Sequence, residues 1–341
     1  MSSRIFDIAD EALTSIPKEV AAQARDRAKG AARRIRIGII TALPLEANAI
    51  AAALGGDAVA MPIVARKTQV SYFIHTFRSS LDGGEIEVVV ALANQMGNNA
   101  AAVTATSLLM DFEKVDDLLV VGIAGGVPAP TIPHQHARLG DIVVGLSGVI
   151  QYDFKKVEVD KSELRKGPPP PSALLTTAIN QIRLEEERGH RSWEQFLDPD
   201  VARPRLDVLY DPLDHSTPAK RLRHPRQNSR RKGLPMVHYG LIGSANVLLK
   251  NPMQRDILAK EHKLIAVEME GSGIADAAWN FARGYVIVRA VCDYCDMHKN
   301  DRWQRYAANA AAAYARAIVE RALAREPILL PARSEKRIAK S

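Results

Sequence analysis

Three carboxylates in this 341-residue chain stand at or just beyond short apolar runs of strand character. Glu46 follows RIGII (Arg36 to Ile40), Glu270 follows LIAVEM, and Asp293 follows YVIVRAV (Tyr285 to Val291). A fourth run, DLLVVGI, closes in the turn Gly122-Ile123-Ala124-Gly125-Gly126. Carboxylates sharing one pocket can divide acid and base duties, because burial and neighbours push their proton affinities apart. The small residues of the turn, Ala124 and Gly125 among them, let backbone N–H groups approach a ligand closely. In open α/β sheets ligands gather at the carboxyl ends of the strands. The four features point to one site at one end of a sheet, without identifying its reaction.

A different constellation, Cys292-x2-Cys295-x2-His298, has the look of a metal site. Zinc takes four protein ligands, or three and a water, and no second Cys/His cluster stands nearby in the sequence. We therefore read the two cysteines as ordinary buried thiols and expect no metal. No G-x-x-x-x-G-K-[ST] phosphate loop and no G-x-S-x-G elbow occurs.

The elements that must position these residues alternate in type. Strand character is predicted for 36–40, 72–77, 85–92, 117–123, 141–146, 237–242, 264–268 and 285–291. Helices are predicted for 45–54, 99–110, 172 to about 188, 270–281 and 302–325. Alternating strands and helices imply an α/β fold with a largely buried central sheet. Residues 1–33 read as an exposed helical leader, rich in Ala, Arg, Lys and Glu. Residues 331–341 read as a basic, frayed tail. Between them, 34–330 form the main domain, interrupted at 161–235 by a Pro/Arg-rich insertion that is expected to be a solvated flap. Lys220, Arg221, Arg223, Arg226, Arg230, Arg231 and Lys232 crowd one stretch of it with no acid among them.

Composition excludes several classes. Two cysteines cannot build a disulfide scaffold. No apolar run approaches the roughly 18 residues needed to span a bilayer, and the N-terminus lacks a signal-peptide pattern, so a cytoplasmic protein with no membrane partner is expected. The net charge of +7 invites a nucleic-acid reading. Only 5% of residues are aromatic, and none lies between 216 and 232 to stack on bases, which makes that reading unfavourable.

Three blocks resemble the nucleoside phosphorylase and nucleosidase superfamily: IGIITALPLEANAI (Ile37 to Ile50), VGIAGG with LGDIVV (Val121 to Val144), and AVEMEGSGIA with VRAVCDYCD (Ala266 to Asp296). Within it the chain is most similar to methylthioadenosine/S-adenosylhomocysteine nucleosidases, and more so to nucleosidase-like domains of fungal and bacterial multidomain proteins. QYDF, VHYGLIGSANVLLKN and CDYCDMHKNDRWQRYAA carry that second likeness. The resemblance implies a three-layer α/β/α fold with a mixed central sheet. It also implies hydrolysis of a purine N-ribosyl bond, with no cofactor and with a homo-oligomer completing the pocket. Glu46 takes the place of the acid that activates water, and Glu270 that of the acid holding the ribose hydroxyls. Met269 would pack under the sugar, and Asp293 would protonate or hydrogen-bond N7 of the leaving purine. Arg289 matches an arginine beneath the site, and Leu248 falls where relatives stack an aromatic ring on the base.

The residue types suit that chemistry. Ribosyl C–N cleavage passes through an oxocarbenium-like sugar, which a carboxylate steadies. Adenine leaves poorly as an anion, so N7 needs a proton or a strong hydrogen bond, a duty for which Asp293 needs a partly buried setting. The superfamily's phosphorylases hold phosphate with two arginines and a serine, and the aligned positions here are Glu46, Val120 and Ile123. Water is thus the expected nucleophile, with a phosphate-dependent phosphorylase and a nucleotide sensor without turnover as the alternatives. Asp rather than Asn at 293 favours adenine. Lys299, in the basic loop His298-Lys299-Asn300 with Arg302, is expected to hold a 5′-phosphate if the substrate is a nucleotide. The leader leaves room for a regulatory partner protein.

Overall fold

The computed structural model describes residues 35–324 apart from 56–62, 65–67, 69 and 159–161. The leader expected at 1–33 and the tail at 331–341 lie outside the described residues. The strands are β1 (Ile37–Thr41), β2 (Ile63–Val64), β3 (Ser71–Arg78), β4 (Glu85–Leu92), β5 (Asp117–Gly126), β6 (Ile142–Val144), β7 (Val149–Gln151), β8 (Lys155–Val157), β9 (Ser162–Leu164), β10 (Leu209–Tyr210), β11 (Arg221–Leu222), β12 (Val237–Tyr239), β13 (Leu241–Ser244), β14 (Leu264–Glu268) and β15 (Gly284–Asp293). The helices are α1 (Pro44–Ala53), α2 (Asn98–Asp111), α3 (Ala173–Glu187), α4 (Pro252–His262), α5 (Gly271–Asn280) and α6 (Gln304–Leu323).

Eleven of these strands form one mixed sheet, in the order β12-β6-β15-β5-β1-β4-β3-β2, with β14, β13 and β7 branching from the far end of β5. β1, β4, β5 and β15 run parallel, β3 is antiparallel to β4, β6 is antiparallel to β15 and parallel to β12, and β14 pairs antiparallel with the last residues of β5. The central stretches of β1, β5 and β15 are largely apolar because both faces are covered. Leu119, Val121, Val286 and Val288 pack on one side with residues of α1, α3 and α6. Leu118, Val120, Tyr285 and Ile287 pack on the other with α2 and α5. This alternation makes the chain a three-layer α/β/α protein with a mixed central sheet. Among the described residues no helix is long and apolar enough to cross a membrane.

Two details differ from the sequence reading. The run at 237–242 is two strands rather than one: β12 pairs with β6 while β13 pairs with β7 and β14, and the chain changes neighbours at Gly240. The 161–235 segment is not a detached flap. Leu175, Ala178, Ile179 and Ile182 of α3 are core residues, and Trp193 is fully buried in a T-shaped contact with the Tyr314 ring. The basic block is neutralised in part, because Lys220 pairs with Asp211, Arg230 with Asp141 and Arg231 with Glu194. Asp141 is the main anchor: it also accepts from His238 and from the N–H groups of Arg138 and Met236.

Candidate active site

A cleft of about 500 Å³ lies at the carboxyl ends of β1, β5 and β15, beside the segments that follow β13 and β14. Glu46, Glu270, Asp293, Met269, Ala124, Gly125, Leu248 and Lys299 all line it, and Arg289 lies beneath. Residues far apart in the chain thus meet in one cleft.

Glu46 owes its position to helix geometry. Pro44 opens α1, and Glu46 in its first turn folds back toward the preceding backbone. One carboxylate oxygen accepts from the N–H groups of Ala42 and Leu43, each at 2.9 Å. The other accepts from Ile123 N–H in the glycine turn at 2.8 Å. Three backbone donors near a helix N-terminus make an anion cradle, and the chain's own carboxylate fills it. Burial raises the Glu46 pKa, working against Arg289 and the three amides that favour the charged form.

Arg289 is 1% exposed and joins the acids from below. Its guanidinium donates to Glu268 and, at 3.0 Å, to Glu270, and it stands 3.8 Å from Glu46. Burial alone would lower its pKa, but the three carboxylates outweigh burial and hold it above its ordinary value. Glu270 also accepts from Gly97 N–H at 3.1 Å, and its pKa is raised, by burial first and by Glu268 and Glu46 as well. Three carboxyl groups share one guanidinium, so the floor suits a cation better than an anion beside Glu46.

Strand register sets the rest. Arg289 pairs with Gly122 and Asp293 with Gly125, because β15 shifts register between Val291 and Asp293. Such a bulge re-aims side chains at a site, and here it brings Cys292 and Asp293 both to the cleft wall. A side chain at Gly122 would overlap both Glu46 and Arg289, so glycine is required there. On the other face, a side chain at Gly273 would overlap the Asn98 carbonyl, so glycine lets α5 approach α2.

One oxygen of Asp293 accepts from Cys295 N–H at 2.8 Å, and the other accepts from Cys292 Sγ at 3.2 Å and from Lys299 Nζ at 2.9 Å. Lys299, expected to await a phosphate, is therefore committed to the acid that would meet the purine. Burial opposes the Lys299 charge, yet Asp293 holds its ammonium pKa above the ordinary value. Both cysteines are free and buried, and burial pushes both thiols up. His298 stacks on Tyr210. Among the described residues no group of three or more His, Cys, Asp or Glu is arranged to hold a metal. The sequence reading missed the role of Glu268; an acid inside the otherwise apolar strand LIAVE was the available signal. It also missed Lys250 and Gln304 on the cleft wall.

Fold and site together define an α/β protein with a carboxylate-floored cleft at its strand ends. The family model of the phosphorylase superfamily matches residues 36–324, and the chain belongs to that superfamily. It is 34% identical over 304 residues to a nucleotide-binding leucine-rich repeat (NLR)-like protein of Hyaloscypha variabilis, covering 83% of this chain and 29% of that protein. The chain thus spans under a third of that relative's length. It is 26% identical to a 5′-methylthioadenosine/S-adenosylhomocysteine nucleosidase of Mycobacterium bovis, covering 84% and 96% of the two chains. It is 27% identical to the ATP nucleosidase Cap17 of Escherichia coli, covering 80% of this chain and 49% of that protein. The structure of a Helicobacter pylori 5′-methylthioadenosine/S-adenosyl homocysteine nucleosidase shares the fold, with a TM-score of 0.59 at 17% identity, covering 84% and 98% of the two chains.

Proposed function

We propose that this chain hydrolyses the N-glycosidic bond of an adenine ribonucleoside or ribonucleotide, releasing the free base. The observation that carries the reading is the occupied cradle. The amides of Ala42, Leu43 and Ile123 that could grip a phosphate nucleophile already hold the Glu46 carboxylate. A base in that place suits water and repels phosphate. In this reading Glu46 takes a proton from water as water attacks the anomeric carbon. Glu270 accepts from the ribose hydroxyls, and Met269 packs under the ring. The carboxylate floor steadies the sugar cation, and Asp293 serves N7 of the departing purine. Arg289 is a positioning residue that keeps Glu46, Glu268 and Glu270 in register. Adenosine-derived compounds figure in the names of the Mycobacterium and Escherichia relatives, which supports adenine as the base.

The experiment is product analysis of adenosine, methylthioadenosine, AMP, ATP and guanosine, with and without inorganic phosphate. Free adenine together with an unphosphorylated anomeric carbon, at a rate indifferent to phosphate, is expected. Ribose 1-phosphate formed only when phosphate is present would overturn water as the nucleophile. Ligand binding with no base released over hours would overturn turnover itself.

A further inference from the structure

A second cavity, of about 200 Å³, adjoins the cleft and shares with it Cys292, Asp293, Lys299 and Asn300. Its other wall comes from the 161–235 segment: Tyr210 and Arg221 belong to the β10–β11 hairpin. Arg302 completes the rim, and His298 is stacked on Tyr210 with ring centroids 3.7 Å apart. Arg221, Lys299 and Arg302 face two carboxylates, Asp293 and Asp296. Asp296 is engaged within its own loop, accepting from His298 N–H at 2.8 Å. Arg221 and Arg302 have no ion-pair partner among the described residues. The cavity therefore has cationic donors to spare, and the Arg–Lys combination is one that binds phosphate oxygens.

We propose that this annex is a phosphate subsite and that an anion bound there draws Lys299 off Asp293. The proposal rests on the purine-releasing role of Asp293 given above. Lys299 is the movable part, a point charge on a four-carbon stem, 21% exposed and standing in the wall between the two cavities. The acid stays in place when Lys299 leaves, because Cys295 N–H still holds its first oxygen. Its second oxygen, which otherwise accepts from Lys299 Nζ and Cys292 Sγ, then takes up a proton from solvent, and the resulting O–H donates to N7. While the ammonium donates to that oxygen, the acid has nothing to offer N7, which is itself an acceptor. Phosphate occupancy and acid release are thereby linked through one side chain, and the surplus affinity of the anion for Lys299 sets the size of the activation.

The substrate itself and a separate molecule are two sources of such phosphate groups, and two arms of one experiment separate them. Inorganic triphosphate is titrated into the full chain by calorimetry, and adenine release is measured from ATP, and from adenosine with and without triphosphate. Binding is expected to weaken about tenfold or more in Arg221→Ala/Arg302→Ala, whose exposed side chains can be removed without opening the core. Stimulation of adenosine cleavage by free triphosphate identifies a separate anion. Faster cleavage of ATP than of adenosine, without stimulation in trans, identifies the substrate's own chain. In Lys299→Met either effect is expected to vanish. The inference is overturned if triphosphate binds equally well to the double variant. Equal rates on ATP and adenosine with no stimulation by triphosphate would also overturn it, as would stimulation that survives Lys299→Met. If no substrate yields adenine, the proposed reaction fails instead, and the calorimetric arm still decides the subsite.

Discussion

Glu46→Gln is the sharpest probe of the cleft, because it keeps the side-chain shape and removes the base. The wild-type carboxylate serves three amides, two on one oxygen and one on the other. A glutamine offers a single oxygen. With that oxygen on Ala42 and Leu43, the side-chain NH2 faces the Ile123 N–H, and one buried donor loses its partner. The expected stability loss is about 1–3 kcal/mol, the usual penalty for an unsatisfied buried polar group. The loss in turnover is larger, a factor of about 10² to 10⁴, the span of a single acid–base contribution. The pH profile carries a second signature. Burial raises the Glu46 pKa, and a general base must be unprotonated. Wild-type turnover should therefore climb with pH through an inflection above the ordinary glutamate value of 4.5. Because Glu270 is raised as well and lies in the same charge cluster, that inflection belongs to the coupled acids; Glu46→Gln should flatten or displace it. Base release by chromatography across pH, with thermal melting on the same samples, measures both. A variant that keeps more than about a tenth of wild-type turnover, with the acid limb unmoved, refutes the assignment of Glu46 as the base.

Other outcomes follow from the same geometry. Gly122→Ala should abolish base release while leaving the fold largely formed, because the added methyl displaces Glu46 and Arg289 together; purified yield, melting temperature and turnover test this. Arg289→Met strands three carboxylates in the floor, and breaking a buried pair in this way costs about 3–5 kcal/mol, measurable by denaturant unfolding. Asp293→Asn should slow base release by about 10² to 10⁴ while substrate binding persists, read as a fall in kcat with KM little changed. Asp141 is held at about 2, since hydrogen bonds from His238 and Arg230 outweigh the upward push of burial. Its folded pKa lies below the unfolded value of 3.8, so its stabilisation is complete above pH 3.8 and is lost as pH falls through 2. Asp141→Asn should remove about 2 kcal/mol near neutral pH and flatten the acid end of the stability curve.

The apolar runs at β1, β5, β14 and β15, each ending near an acid or a glycine turn, were legible in the sequence, because strands buried on both faces must be continuously apolar. So was the meeting of Glu46 and Asp293, since β1 and β15 both run parallel to β5 and place their carboxyl ends together, whereas Glu270 follows β14, which is antiparallel to β5. The place of Glu46 was nearly legible: Leu-Pro-Leu-Glu writes a helix start whose first-turn acid folds back on the backbone. What the acids do to one another was not. The bulge beside Cys292 that turns Asp293 into the cleft depends on the pairing of β15 with β5. Arg289 meets three carboxylates from two distant segments, and the 161–235 segment buries Trp193 instead of waving in solvent. The commitment of Lys299 to Asp293 depends on the path of a loop after a strand end. Local patterning determined which residues could form strands, helices and a carboxylate pocket. Register, burial and the pairing of charges brought in from remote segments were decided only by the folded chain, because each depends on a distance that no neighbouring residue encodes.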